Sequence, residues 1–149
     1  MILAAGCGGG EFHPPEVTEA GSDPDAATTS PICAANDAGA VKASCTEAEL
    51  AAGVRTAASD LRVIVAPDRD PSSPFVPNCM VIKVGQTVTW TGAFSKHPLI
   101  PRENSTLPNP IQVVASGTST AVTFDCAGTF NFSCRTHKDN MLGTVRVVP

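Results

Sequence analysis

Histidine, aromatic residues and long apolar runs are scarce in this chain. Three histidines occur among 149 residues, one of them, His13, in a polar amino-terminal stretch. That supply is too small for a centre that binds and turns over a small substrate through several imidazoles, which argues against an enzyme of that kind. No run of eighteen apolar residues occurs, so no segment as written is long enough for a membrane-spanning helix. Aromatic residues are 5% of the chain, and four of the seven fall in strand-like runs, so a nucleic-acid surface, which needs them among clustered cations, is not expected.

Composition divides what is present. Residues 8–31 are rich in Gly, Pro, Ser, Thr, Asp and Glu with few bulky apolar side chains. They read as a disordered, flexible tether, because such a stretch cannot bury enough surface to offset its ordering entropy. Before it, residues 1–7 read as the remainder of a signal. Leu3-Ala4-Ala5-Gly6-Cys7 resembles a bacterial lipobox, which makes Cys7 the candidate lipidation site and sole membrane anchor. Only six residues precede Cys7 and none is basic, so either the start lies further upstream or Cys7 is a chance residue. Residues 32–59 form an extension held by disulfides. Within it Thr46-Glu47-Ala48-Glu49 has the form of a capping box and predicts a short helix near 46–53, limited by Gly53 and Val54.

Beyond Asp60 the period changes. Short runs rich in Val, Ile, Thr and Phe lie at Leu61–Ala66, Cys79–Val84, Gln86–Thr91, Ile111–Ala115, Thr120–Phe124, Thr129–Cys134 and Thr144–Val148, separated by turn residues. They predict an all-β, two-sheet sandwich, with Val88 and Trp90 in its core and Pro98–Pro110 as a surface loop beside the functional end. In Thr129–Cys134 the two phenylalanines and the cysteine alternate, which points Phe130, Phe132 and Cys134 to one interior face.

Cys134, His137 and Met141 follow at steps of three and four, so one short turn can gather their side chains about a point, and His97 must join them from another loop. A thiolate, two imidazoles and a thioether form the soft, mixed set that suits a single tuned copper ion. Zinc could use the Cys and both His, but Met is a poor zinc ligand.

With these residues in place a resemblance is clear. Phe75-Val76-Pro77, Val84-Gly85-Gln86-Thr87-Val88-Thr89-Trp90, His97, Ala127-Gly128-Thr129-Phe130-Asn131-Phe132-Ser133-Cys134, His137 and Met141-Leu142-Gly143 stand in the order found in cupredoxins of the plastocyanin, pseudoazurin and amicyanin group. The resemblance covers about residues 60–149. It implies a Greek-key β-sandwich carrying one type 1 (blue) copper, with His97, Cys134 and His137 equatorial, Met141 axial, and the edge of His137 as electron port. The His137–Met141 gap holds three residues, where plastocyanins usually carry four and amicyanins two. Pro98 stands where an Asn usually ties the two ligand loops; proline has no backbone donor, so the tie must be made differently or be absent. Family likeness of the Ser44-Cys45-Thr46 and Pro77-Asn78-Cys79 segments suggests Cys45 with Cys79, leaving Cys33 for Cys126. The local alternative pairs Cys33 with Cys45 and Cys79 with Cys126.

The function implied is a one-electron carrier cycling Cu(II) and Cu(I), the alternative being a copper-handling protein for transport or buffering. Six cysteines with a thiolate ligand fit an oxidising compartment, so a monomeric, exported protein is expected, periplasmic or at the cell surface. Residues 1–59 carry eight acidic and two basic side chains and residues 60–149 six and eight. Lys96, Arg102, Arg135 and Lys138 lie on or beside the ligand loops. They are the expected docking cations for an acidic surface on a redox partner such as a cytochrome or a copper or haem oxidase.

Overall fold

The computed structural model describes residues 42–68 and 73–149; Cys7, His13, Cys33 and the tether lie outside them. The described chain forms α1 (Glu47–Ala52), β1 (Val63–Val65), β2 (Cys79–Lys83), β3 (Thr87–Thr91), β4 (Leu99–Pro101), β5 (Ser119–Thr123), β6 (Gly128–Cys134), a one-turn 3-10 helix at Lys138–Asn140, and β7 (Leu142–Val148). Strands β1-β3-β5 make one sheet and β2-β7-β6-β4 the other. The chain therefore changes sheet at every step from β1 to β6, and only β6 and β7 are consecutive neighbours. Pairs β1/β3 and β2/β7 are parallel, the others antiparallel. This is the all-β sandwich that the short alternating runs predict. Val88, Trp90, Phe130, Phe132 and Cys134 are fully buried between the sheets.

The short helix forms where its capping box lies. Thr46 accepts from the Glu49 amide, the Glu49 carboxylate accepts from the Thr46 amide, and Gly53 ends the helix. One buried residue, Leu50, packs it on Val81 of β2, and Val54 adds a parallel bridge to Val81. The Cys45–Cys79 disulfide fastens the same extension to β2 with Cα atoms 6.0 Å apart, which excludes the local pairing. Cys126 is also disulfide-bonded, and its expected partner, Cys33, lies outside the described residues.

Two expectations need correction. Ile111–Ala115 forms no strand; it makes one bridge, Leu99 to Val114, because Gln112, Val113 and Ala115 are exposed and only Ile111 and, in part, Val114 pack on the core. Pro98–Pro110 is not all loop and does not stay at the ligand end. Its first residues are β4, with Leu99 opposite Cys134 and Pro101 opposite Phe132, and the chain then descends until the Thr106 amide donates to Thr129 O at 2.8 Å. An edge strand tolerates Pro101 because a proline lacks only a donor that an edge can spare. The other face of β6 is covered as well. Thr129, Asn131 and Ser133 are as enclosed as the phenylalanines, since the Lys42–Ser44 segment and the Asn104–Thr106 turn cover the sheet's outer face there.

Gly143 shows how tightly β6 and β7 approach β2. A Cβ there would overlap the Phe132 ring and the Asn78 carbonyl oxygen, and that carbonyl cannot swing aside because it accepts from the Thr144 amide at 2.9 Å. Gly143→Ala is expected to lose about 3 kcal/mol of stability, the upper range for overpacking. Denaturant unfolding of the metal-free protein checks this; a loss below about 0.5 kcal/mol would show that the strands part easily.

Candidate metal centre

The donor side chains come from two stretches of backbone, one carrying His97 and the other Cys134, His137 and Met141. After β3, Gly92 takes a φ of 145° that lets the chain pass Ala66 closely, and fully buried Phe94 anchors the turn that follows. The amides of Lys96 and His97 both donate to Ala93 O, at 2.9 and 3.0 Å, so His97 is held inward, 4% exposed. Cys134 is the last residue of β6, and its Sγ faces the core because Phe130 and Phe132 do. His137 and Met141 flank the one-turn helix. To fit three residues between them the loop places Lys138 at a φ of 28°, a left-handed conformation that costs a non-glycine residue about 1 kcal/mol.

Two backbone bonds tie these pieces together. The Cys134 amide donates to Met141 O at 3.0 Å, closing the loop from β6 to β7, and the Arg135 amide donates to Pro98 O at 2.8 Å. The second bond answers what Pro98 does to the loop tie. Proline has lost its donor but keeps a full acceptor, so the two ligand loops are joined through the Pro98 carbonyl.

The donor atoms converge. His97 Nδ1 and His137 Nδ1 are 3.3 Å apart, and Cys134 Sγ is 4.0 Å from the first and 3.4 Å from the second. A point equidistant from all three lies about 2.1 Å from each, inside the roughly 2.0–2.3 Å at which imidazole nitrogen and thiolate sulfur hold a metal ion. Among the described residues these three are the one metal-capable cluster. Met141 is buried with Cys134 in the main core cluster. Cys134 is a free thiol, not part of a disulfide. Burial, reinforced by His137, lowers the pKa of His97 below the ordinary histidine value, while Asp68 opposes the shift. Its imidazole is thereby kept neutral, the form in which it can donate to a metal. One cysteine sulfur, two imidazoles and the buried thioether of the same loop fit copper by donor softness.

His97 is enclosed, but His137 is partly exposed, so one of the two imidazoles reaches the surface. Around it the four cations differ. Lys96 pairs with Asp68 at 2.8 Å and Arg102 with Asp139 at 3.9 Å, whereas Arg135 and Lys138 have no ion pair among the described residues. The residues that sequence reasoning passed over are Asn131 and Thr144, whose side chains bond each other on the outer face of β6 and β7. The available signal was an Asn in the middle of a strand, where that residue is depleted.

Residues 69–148 match the family described as copper binding proteins, plastocyanin/azurin family. Among solved structures, pseudoazurin from Methylobacterium extorquens AM1 is 20% identical over 57% of this chain and 72% of its own, with a TM-score of 0.44. A purple cupredoxin from Nitrosopumilus maritimus is 22% identical over 58% of this chain and 98% of its own, at 0.43. Plastocyanin from Dryopteris crassirhizoma is 18% identical over 58% and 99%, at 0.41. No curated protein matches the chain.

Proposed function

The chain belongs to the plastocyanin/azurin family of copper-binding proteins, and from that premise we propose that it is a one-electron carrier using a single type 1 copper. The observation that carries this reading is the convergence of His97 Nδ1, His137 Nδ1 and Cys134 Sγ on one point, with buried Met141 bonded through its carbonyl to the Cys134 amide. When bound there, copper supplies the Cu(II)/Cu(I) couple. The protein's part is to hold its donors still. Leu99 pairs with Cys134, the Arg135 amide holds Pro98 O, and the Cys134 amide holds Met141 O, so little rearrangement can accompany a change of charge at the site. Cys134 and His97 are buried away from water, and the partly exposed His137 is the port to a partner. Arg135 and Lys138, two and one residues from His137 and free of ion pairs among the described residues, suit a redox partner with an acidic surface. The Cys45–Cys79 disulfide supports an oxidising, exported setting.

Purified protein loaded with Cu(II) should take up one equivalent and become intensely coloured through thiolate-to-copper charge transfer. A colourless Cu(II) form would overturn the carrier reading in favour of copper handling. Met141→Leu removes the thioether while keeping volume. It is expected to retain the colour and shift the reduction potential, because the axial ligand tunes that potential in such sites. If neither spectrum nor potential moves, Met141 is not the axial ligand.

A further inference from the structure

The loop carrying the metal donors spans the gap between β6 and β7, so where its two ends stand is settled below it, in the ladder. Asn131 of β6 lies opposite Thr144 of β7, three residues before Cys134 and three after Met141. Asn131 is fully buried, and its amide makes every bond it offers. Nδ2 donates to Lys42 O at 3.1 Å and to Asn104 O at 2.6 Å; Oδ1 accepts from the Ser44 amide at 3.0 Å and from Thr144 Oγ1 at 2.6 Å. Thr144 Oγ1 in turn accepts from the Ser44 amide at 2.9 Å. An apolar side chain could fill the same space without the desolvation cost of an amide. What the amide adds is direction: it joins β7, the 104–106 turn and the amino-terminal extension to one point of β6. In an antiparallel pair a slip of one residue carries every side chain to the other face, and here it would carry Met141 away from Cys134.

We propose that Asn131, acting through Thr144, is a positioning residue for the metal centre: the pair fixes the register of β6 against β7 and so sets where Met141 stands relative to Cys134. This rests on the reading in which both residues serve a copper ion. Thr144→Val tests it with the least disturbance, because it keeps the volume and leaves Asn131 Oδ1 bonded to the Ser44 amide; Thr144→Ser returns the hydroxyl. In the metal-free protein the Cys134 amide, which donates to Met141 O, reports the juxtaposition directly. Thr144→Val is expected to speed hydrogen exchange at that amide on the order of tenfold relative to the amides of the β3/β5 pair, and Thr144→Ser to reverse the change. A rise shared equally by β3/β5 is a general loss of stability and overturns the proposal, as does an unchanged Cys134 amide. In the copper-loaded protein Thr144→Val should keep the colour and shift the potential, with no further shift when added to Met141→Leu. An equal shift in that background overturns the route through Met141. The exchange measurement needs no metal, so a chain that took up no copper would defeat the carrier reading while the positioning role was still decided by exchange.

Discussion

Replacing Cys134 by serine is expected to abolish the charge-transfer colour of the Cu(II) protein while leaving the metal-free fold close to its original stability. The colour needs a thiolate, and a serine hydroxyl neither ionises at neutral pH nor supplies a soft sulfur donor. The loss of copper affinity should exceed the roughly 10–100-fold that follows from removing a mere supporting partner of a metal ligand, since here the donor itself goes. The fold should tolerate the change. Serine is smaller by little, and the two imidazole nitrogens now 3.4 and 4.0 Å from Cys134 Sγ give its buried hydroxyl a partner, which limits the cost to about 1 kcal/mol. Visible and EPR spectra after copper addition, with denaturant unfolding of the metal-free form, separate the two effects. A Cys134→Ser protein that is folded and still blue would remove Cys134 from the site.

Residue types and spacing made the donor set legible, because Cys134, His137 and Met141 sit in one turn and the Phe130, Phe132, Cys134 alternation assigns an inner face. Elements that depend on distant chain were not legible. A mid-strand Asn marks the position of Asn131 but does not say what covers it, since its partners Ser44 and Lys42 are 87 and 89 residues away. Strand β4 was hidden by its flanking prolines, which read as loop until the edge position of the strand removes the need for their donors. For Pro98 the missing N–H drew attention away from the carbonyl that makes the tie. The acidic neighbours of two rim cations were likewise out of local view. Asp68 is 28 residues from Lys96, and Asp139 reaches Arg102 only once the 3-10 turn has folded beside β4.

Phe132→Ala is expected to have the largest effect on stability, a loss of about 3–5 kcal/mol, the usual range for emptying a buried phenylalanine site. That is a large part of the roughly 5–15 kcal/mol that holds a domain folded. Phe132 is fully buried, with its ring edge-on to Phe75 at 5.1 Å and to Trp90 at 5.4 Å. It therefore touches both sheets and lies two residues before Cys134 on the same face. Trp90 is the chain's one tryptophan and stands against the ring, so its fluorescence reports the same unfolding transition. Copper should restore part of the loss, because a ligand that binds only the folded form adds about 4 kcal/mol at a thousand times its Kd. A loss below about 1 kcal/mol would mean that the neighbouring rings collapse into the space. Gly143 supplies the decisive comparison, since a Cβ there meets the tip of the Phe132 ring. If packing is the cause, Gly143→Ala should cost less in the Phe132→Ala background than alone, by about 1 kcal/mol or more of coupling. The recovery should be partial, because the added methyl still meets the Asn78 carbonyl oxygen, which does not leave with the ring.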